Sequence, residues 1–168
     1  GRQRGAWGDA RGRVGDAYDG FGQGEEEWPR DMLARTVEGP SGYDDSVVWR
    51  GIDLNSHCEH HRIPFVGKAH VAYYPTDRVV GISKLARVIE VFSRRLQTQE
   101  TMTAQIAQSI DEALDSRGTA VMIEAVHQCM SLRGVQKPNV ATITTQFSGI
   151  FKDDPELQTR FLSLVRGS

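Results

Sequence analysis

Apolar residues recur at spacings of three and four through Leu85, Val88, Ile89, Phe92 and Leu96, which predicts an amphipathic helix. Ser83 is its expected N-cap. A second helix is predicted over residues 99–114, with Met102, Ile106, Ile110, Ala113 and Leu114 turned inward and Arg117-Gly118 as its stop. Strands are expected over residues 46–54, 66–74, 120–130 and 142–147. In the third of these, Val121, Ile123, Ala125, His127 and Cys129 share one face. Residues 153–165 close the chain as a helix, with Asp154-Pro155 a suitable opening. The order is strand pair, helix pair, strand pair, terminal helix. That order implies an α+β fold with an antiparallel sheet and helices packed on one face.

The N-terminal stretch changes this picture. Residues 1–24 hold eight of the 17 glycines, so they should be weakly structured alone. Residues 25–36 suit a short helix with acids early and Arg35 late, and Gly39-Pro40-Ser41-Gly42 reads as a turn. The expected division is an arm with short helices over residues 1–41 and one domain over residues 42–168. A chain of 168 residues can bury a real core. With 39% hydrophobic and 25% charged residues it fits neither the disordered nor the membrane class. No apolar run reaches the length of a membrane span, and no signal-peptide pattern is expected. The net charge of -2 argues against nucleic acid as a bulk electrostatic partner, but it leaves room for a local basic pocket. Two cysteines without an export signal suit a reducing cytoplasm.

Those two cysteines carry the candidate chemistry. Cys58 and His61 have the C-x2-H spacing by which one turn can offer sulfur and nitrogen to one ion. His127 and Cys129, two apart on an expected strand, point the same way. Cys58, His61 and Cys129 would give three ligands and leave a position for water, the pattern of a catalytic zinc site. His60 and His127 would then stand beside the metal as acid/base groups. A disulfide, satisfied core histidines, and a structural zinc with His60 or His127 as fourth ligand are the competing readings. The spacing favours a metal site of some kind, and a catalytic one only modestly over a structural one.

Other residues carry weaker signals. Ser83, Lys84 and Arg87 open a helix, where free N–H groups and the helix dipole favour an anion such as a phosphate chain. Arg133 could extend that positive wall. Taken alone, these residues read more readily as an exposed basic turn. Glu100 could accept two N–H bonds from an amidine-like edge such as that of guanine. Its plainer reading is an ordinary acid in a first helical turn.

Several motifs in register resemble one family. They are Cys58-Glu59-His60-His61, Pro64-Phe65-Val66-Gly67-Lys68-Ala69, Gly81-Ile82-Ser83-Lys84-Leu85-Ala86-Arg87, Arg95-Leu96-Gln97-Thr98-Gln99-Glu100, and His127-Gln128-Cys129-Met130 with Arg133-Gly134-Val135. Together they resemble zinc-dependent GTP cyclohydrolase I over about residues 42–166. The resemblance implies the tunnelling fold (T-fold), in which antiparallel sheets join side by side into barrels. It implies a homo-oligomer, usually a decamer, with active sites between subunits. The implied reaction converts GTP and water to formate and 7,8-dihydroneopterin triphosphate, the first step toward folate and related pterins. Cys58, His61 and Cys129 fall on the zinc ligands, and His60 and His127 on the acid/base histidines. Glu100, with Gln99 beside it, falls on the guanine anchor. Ser83, Lys84, Arg87 and Arg133 fall on positions that hold ribose and triphosphate, and Arg13 on an arginine that reaches a neighbour's triphosphate. The arm departs from the family pattern: the expected Thr-Pro pair is absent, and Asp16 stands where lysine is common. A scaffold that keeps a structural zinc without turnover is the alternative. Arg62, directly after the paired histidines, has no role in this reading.

Overall fold

The computed structural model describes residues 32–33, 36–39, 42–132 and 140–166. Its centre is a sheet of five strands: β2 (Val47–Cys58), β3 (Pro64–Tyr74), β5 (Leu96–Gln97), β6 (Gly118–His127) and β7 (Ala141–Phe147). The strand order is β5-β2-β3-β6-β7. The four long strands run antiparallel, and β5 lies parallel to the end of β2. A separate ribbon pairs β1 (Thr36–Glu38) with β4 (Arg78–Val80).

Alternation along the strands creates two faces. On one, Leu54, Phe65, Val71, Tyr73, Val121 and Ile123 are buried under α1 (Ile82–Ser93) and α2 (Gln99–Leu114). Leu85, Val88, Ile89 and Phe92 of α1 and Met102, Ile106, Ile110 and Leu114 of α2 supply the helical half of this core. Each such side chain stabilises the fold by roughly 1.5–3 kcal/mol through burial. Leu33 is fully buried in the same core. At one end of the other face, Ala72, Tyr74, Ala120 and Met122 pack on Phe151 of α4 (Gly149–Asp153) and on Phe161 and Val165 of α5 (Pro155–Arg166). No described helix is long and apolar enough to cross a membrane.

The structure departs from the expected elements in several places: β1, β4 and β5 were not expected, and Thr36, the last residue of the expected helix over residues 25–36, opens β1. Strand β6 stops at His127, and Cys129 lies in the single helical turn α3 (Gln128–Ser131). Gly81, not Ser83, is the N-cap of α1, and Ser83 lies inside the first turn. Leu96 leaves the helical stripe altogether. The helix stops at Ser93, and Leu96 pairs with His57 in β5, because a strand partner satisfies its backbone. The expected terminal helix is present as α5, opening at Asp154-Pro155; the short α4 before it was not expected, and Pro155 keeps the two apart because it disfavours helical backbone at the residue before it.

Candidate metal and acid-base centre

The turn after β2 is built by three backbone bonds. Cys58 N–H donates to Ile63 O at 3.0 Å, Arg62 N–H to Cys58 O at 2.7 Å, and Glu59 N–H to Gln97 O at 3.2 Å. Arg62 sits at φ 53°, in the left-handed region that few side chains adopt. Its place is therefore conformational: it reverses the chain so that Cys58 and Ile63 can meet. The tight turn carries His61 back over the sulfur, with Nδ1 3.8 Å from Cys58 Sγ. His60 and His61 are exposed, and their ring centres lie 6.3 Å apart. Cys58 itself is 8% exposed.

The second cysteine arrives from across the sheet. Strand β6 is in register with β3, so that His127 stands opposite Phe65. The helical turn that follows brings Cys129 back beside it. Ligand atoms of Cys58, His127 and Cys129 all lie within 4.8 Å of one another. Both thiols are free. Burial pushes the Cys129 thiol up from its ordinary value, and the neighbouring Cys58 adds to the shift. Two sulfurs and an imidazole nitrogen that converge in this way are a soft donor set that fits a metal ion of the zinc type. The structure thus unites Cys58, Cys129 and His127, and sets His61 against the Cys58 sulfur.

His127 is held on two sides. The Phe65 ring stacks on it at 4.6 Å and 10°. Its Nε2 lies 2.7 Å from Gln99 Oε1. Gln99 is only 1% exposed, at the start of α2, and its Nε2 donates to Ile123 O (3.1 Å), Thr142 O (3.0 Å) and Thr144 Oγ1 (3.1 Å). Thr144 Oγ1 is in turn 2.7 Å from Thr103 Oγ1. Burial lowers the pKa of His127 below the ordinary 6.5, while the Glu100 carboxylate pulls it the other way. Glu100 is thus within electrostatic reach of the imidazole. It is exposed in the first turn of α2, which Thr98 caps by accepting the Thr101 N–H at 3.2 Å.

Ser83, Lys84 and Arg87 stand together at the start of α1. None of the three makes a side-chain hydrogen bond or ion pair among the described residues. Arg13 and Arg133 lie outside the described residues. Sequence reasoning did not foresee Phe65 as the stacking partner of His127, or the burial of the Gln99 amide. Neither a phenylalanine in a strand nor a polar residue in a first helical turn signals such a role.

The GTP cyclohydrolase I family profile matches residues 2–166. A GTP cyclohydrolase 1 of Hyphomonas neptunium (strain ATCC 15444) is 59% identical over 152 residues, which span 90% of this chain and 74% of that protein. A GTP cyclohydrolase 1 of Maricaulis maris (strain MCS10) is 54% identical over 153 residues, spanning 91% of this chain and 75% of that protein. Among solved structures, the archaeosine synthase QueF-Like in the apo form superposes with a TM-score of 0.50 at 14% identity, over 67% of this chain and 97% of its own. That likeness concerns the fold and bears out the T-fold expectation. With a family match along nearly its whole length and two relatives above half identity, the chain belongs to the GTP cyclohydrolase I family.

Proposed function

We infer that this chain is a GTP cyclohydrolase I, an enzyme that hydrolyses GTP at C8 of the purine, releases formate and yields 7,8-dihydroneopterin triphosphate. The observation that carries this reading is the convergence of Cys58, Cys129 and His127 beside the exposed carboxylate of Glu100. A protein that only scaffolds has no use for a polarised imidazole next to a metal-binding thiol pair.

We assign the zinc to Cys58, His61 and Cys129. Two facts support this: the 3.8 Å approach of His61 to the Cys58 sulfur, and the closeness of the two thiols. When bound, zinc supplies Lewis acidity toward water. A second set, Cys58, His127 and Cys129, is favoured by the 4.8 Å grouping. In the first assignment His127 and His60 move protons, at N7 of the purine and on the water that adds to C8. Glu100 accepts the N–H edge of guanine and orients C8 toward these groups. Gln99, next in the chain, acts from beneath through its bond to His127.

Ser83, Lys84 and Arg87 take the triphosphate at the first turn of α1, where the Gly81 cap offers no side chain to compete for the open N–H groups. Arg133 and Arg13 complete that site, Arg13 from a neighbouring subunit. We assign residues 1–41 to an arm and residues 42–168 to the catalytic domain. Strand β7 lies at one edge of the sheet, and such an edge is a template for pairing with a second copy. This supports a homo-oligomer, which we take to be a decamer with sites between subunits from the resemblance to the family. Two adjacent cysteines kept as metal ligands fit a reducing compartment, and on that ground we place the protein in the cytoplasm.

The test is direct. Zinc-loaded protein incubated with GTP should release formate and, after oxidation, a fluorescent pterin in equal amount. Protein with normal zinc content and assembly that yields neither would be a scaffold.

A further inference from the structure

The Gln99 side chain offers more than a contact. An amide has one end that donates and one that accepts, and the two are hard to tell apart by shape alone. Here the surroundings decide. One end faces the main-chain oxygens of Ile123 and Thr142, which only accept, so that end must be the NH2. The opposite end is then the carbonyl oxygen, and it can only accept. His127 Nε2 lies 2.7 Å from it and must therefore carry a hydrogen. A neutral imidazole has one N–H, so its Nδ1 is left with the lone pair.

We propose that Gln99 is a positioning residue that locks His127 as the Nε2–H tautomer, with the Ile123 and Thr142 carbonyls as the backing that keeps the amide from turning over. This rests on the reading of His127 as the group that works at the reacting ring. The chain of control runs from the sheet to the imidazole. Ile123 and Thr142 belong to adjacent strands, β6 and β7. Their carbonyls hold the Gln99 nitrogen, and the Thr144 hydroxyl fills its third contact while touching Thr103 of α2. Phe65, stacked flat on the ring, fixes its plane. Rotation of the imidazole is thus blocked by stacking, and exchange of its tautomer by the amide. Whether Nδ1 takes a proton or a metal, it is the one nitrogen free to do so. Glu100, immediately after Gln99, remains free for the substrate side.

The experiment is long-range 1H–15N correlation spectroscopy on the full chain labelled at histidine nitrogen, with and without zinc. The expected wild-type spectrum shows His127 as a single tautomer, protonated at Nε2 and bare at Nδ1. In Gln99→Leu the two tautomers should mix. With zinc and GTP, kcat should fall by about 10²-fold, the scale of a lost supporting hydrogen bond at a metal site, while KM stays within about twofold. A wild-type His127 protonated at Nδ1 overturns the proposal, even if no variant folds. So does a Gln99→Leu protein that keeps the pure Nε2–H form. A rise in KM with kcat unchanged would make Gln99 a substrate contact instead and also overturn it. Failure of GTP turnover in wild-type protein with the expected tautomer would sink the enzymatic reading while supporting the lock.

Discussion

At the scale of single residues, the site asks which imidazole binds the metal and which moves protons. Cys129→Ala should lose zinc and turnover together, since it removes one of two sulfurs that cannot be replaced from nearby. His127→Ala should keep zinc while turnover falls by about 10²- to 10⁴-fold, the usual contribution of a positioned acid or base. Metal content by atomic emission, measured beside formate release, checks both. If His127→Ala loses the ion and His61→Ala retains it, the ligand set is Cys58, His127 and Cys129. Much of this site is legible in the sequence, because the motifs that hold both cysteines and the paired histidines are short and local. The place of Cys129 is not. Alternation tells which side a residue faces only while the strand lasts, and nothing in His127-Gln128-Cys129 shows that the strand ends at its first member. Arg62 was opaque for a related reason: its role is a backbone angle, and its side chain does not advertise it.

At the scale of elements, two glycines in neighbouring strands do different jobs. Gly51 sits at φ 79°, in the irregular stretch of β2 between Trp49 and Ile52, and its N–H donates to His70 Nδ1 at 3.1 Å. An added methyl there meets nothing within 4 Å, so only the backbone angle resists it. Gly51→Ala should cost about 1–2 kcal/mol in urea unfolding. Gly67 is the opposite case: a Cβ would lie 1.9 Å from Glu124 O on the next strand, so β3 and β6 could not keep their spacing. Gly67→Ala should abolish the cooperative transition of the folded chain. A second element-scale prediction concerns the loop before β2. Asp45 accepts two bonds from Arg160 of α5, at 3.0 and 2.8 Å, and one from the Ser46 N–H at 2.6 Å. These bonds, that of Arg160 first, lower its pKa from 3.8 to about 2. The folded carboxylate thus holds its charge where the unfolded one has gained a proton. Its contribution is whole above pH about 4 and is lost as pH falls toward about 2. In acid titrations of stability followed by circular dichroism, Asp45→Asn should lose less than wild type across that window. The long helices and strands were readable because their apolar periods run for many residues. Leu96 was misplaced because it also completes a helical spacing from Phe92, and only the distant β2 decides otherwise.

At the scale of the whole molecule, the sheet is left with β7 at one margin, and its Ile143 is 48% exposed. Proposed subunits would add here, strand to strand. Light scattering should therefore find a particle near ten times the 18.7 kDa chain mass, and Ile143→Lys should shift it toward smaller species. A wild-type particle of one chain mass would remove the shared-site arrangement. The two-residue strand β5 has a consequence of its own. Through it, the Cys58 turn hangs on a segment that lies between two helices, while Cys129 arrives only after β6 has been laid down beside β3. No short fragment of this chain owns the full set of donors. An ion added early in refolding would find only isolated thiols and imidazoles, and its tight uptake should come last, as a seal set on finished architecture.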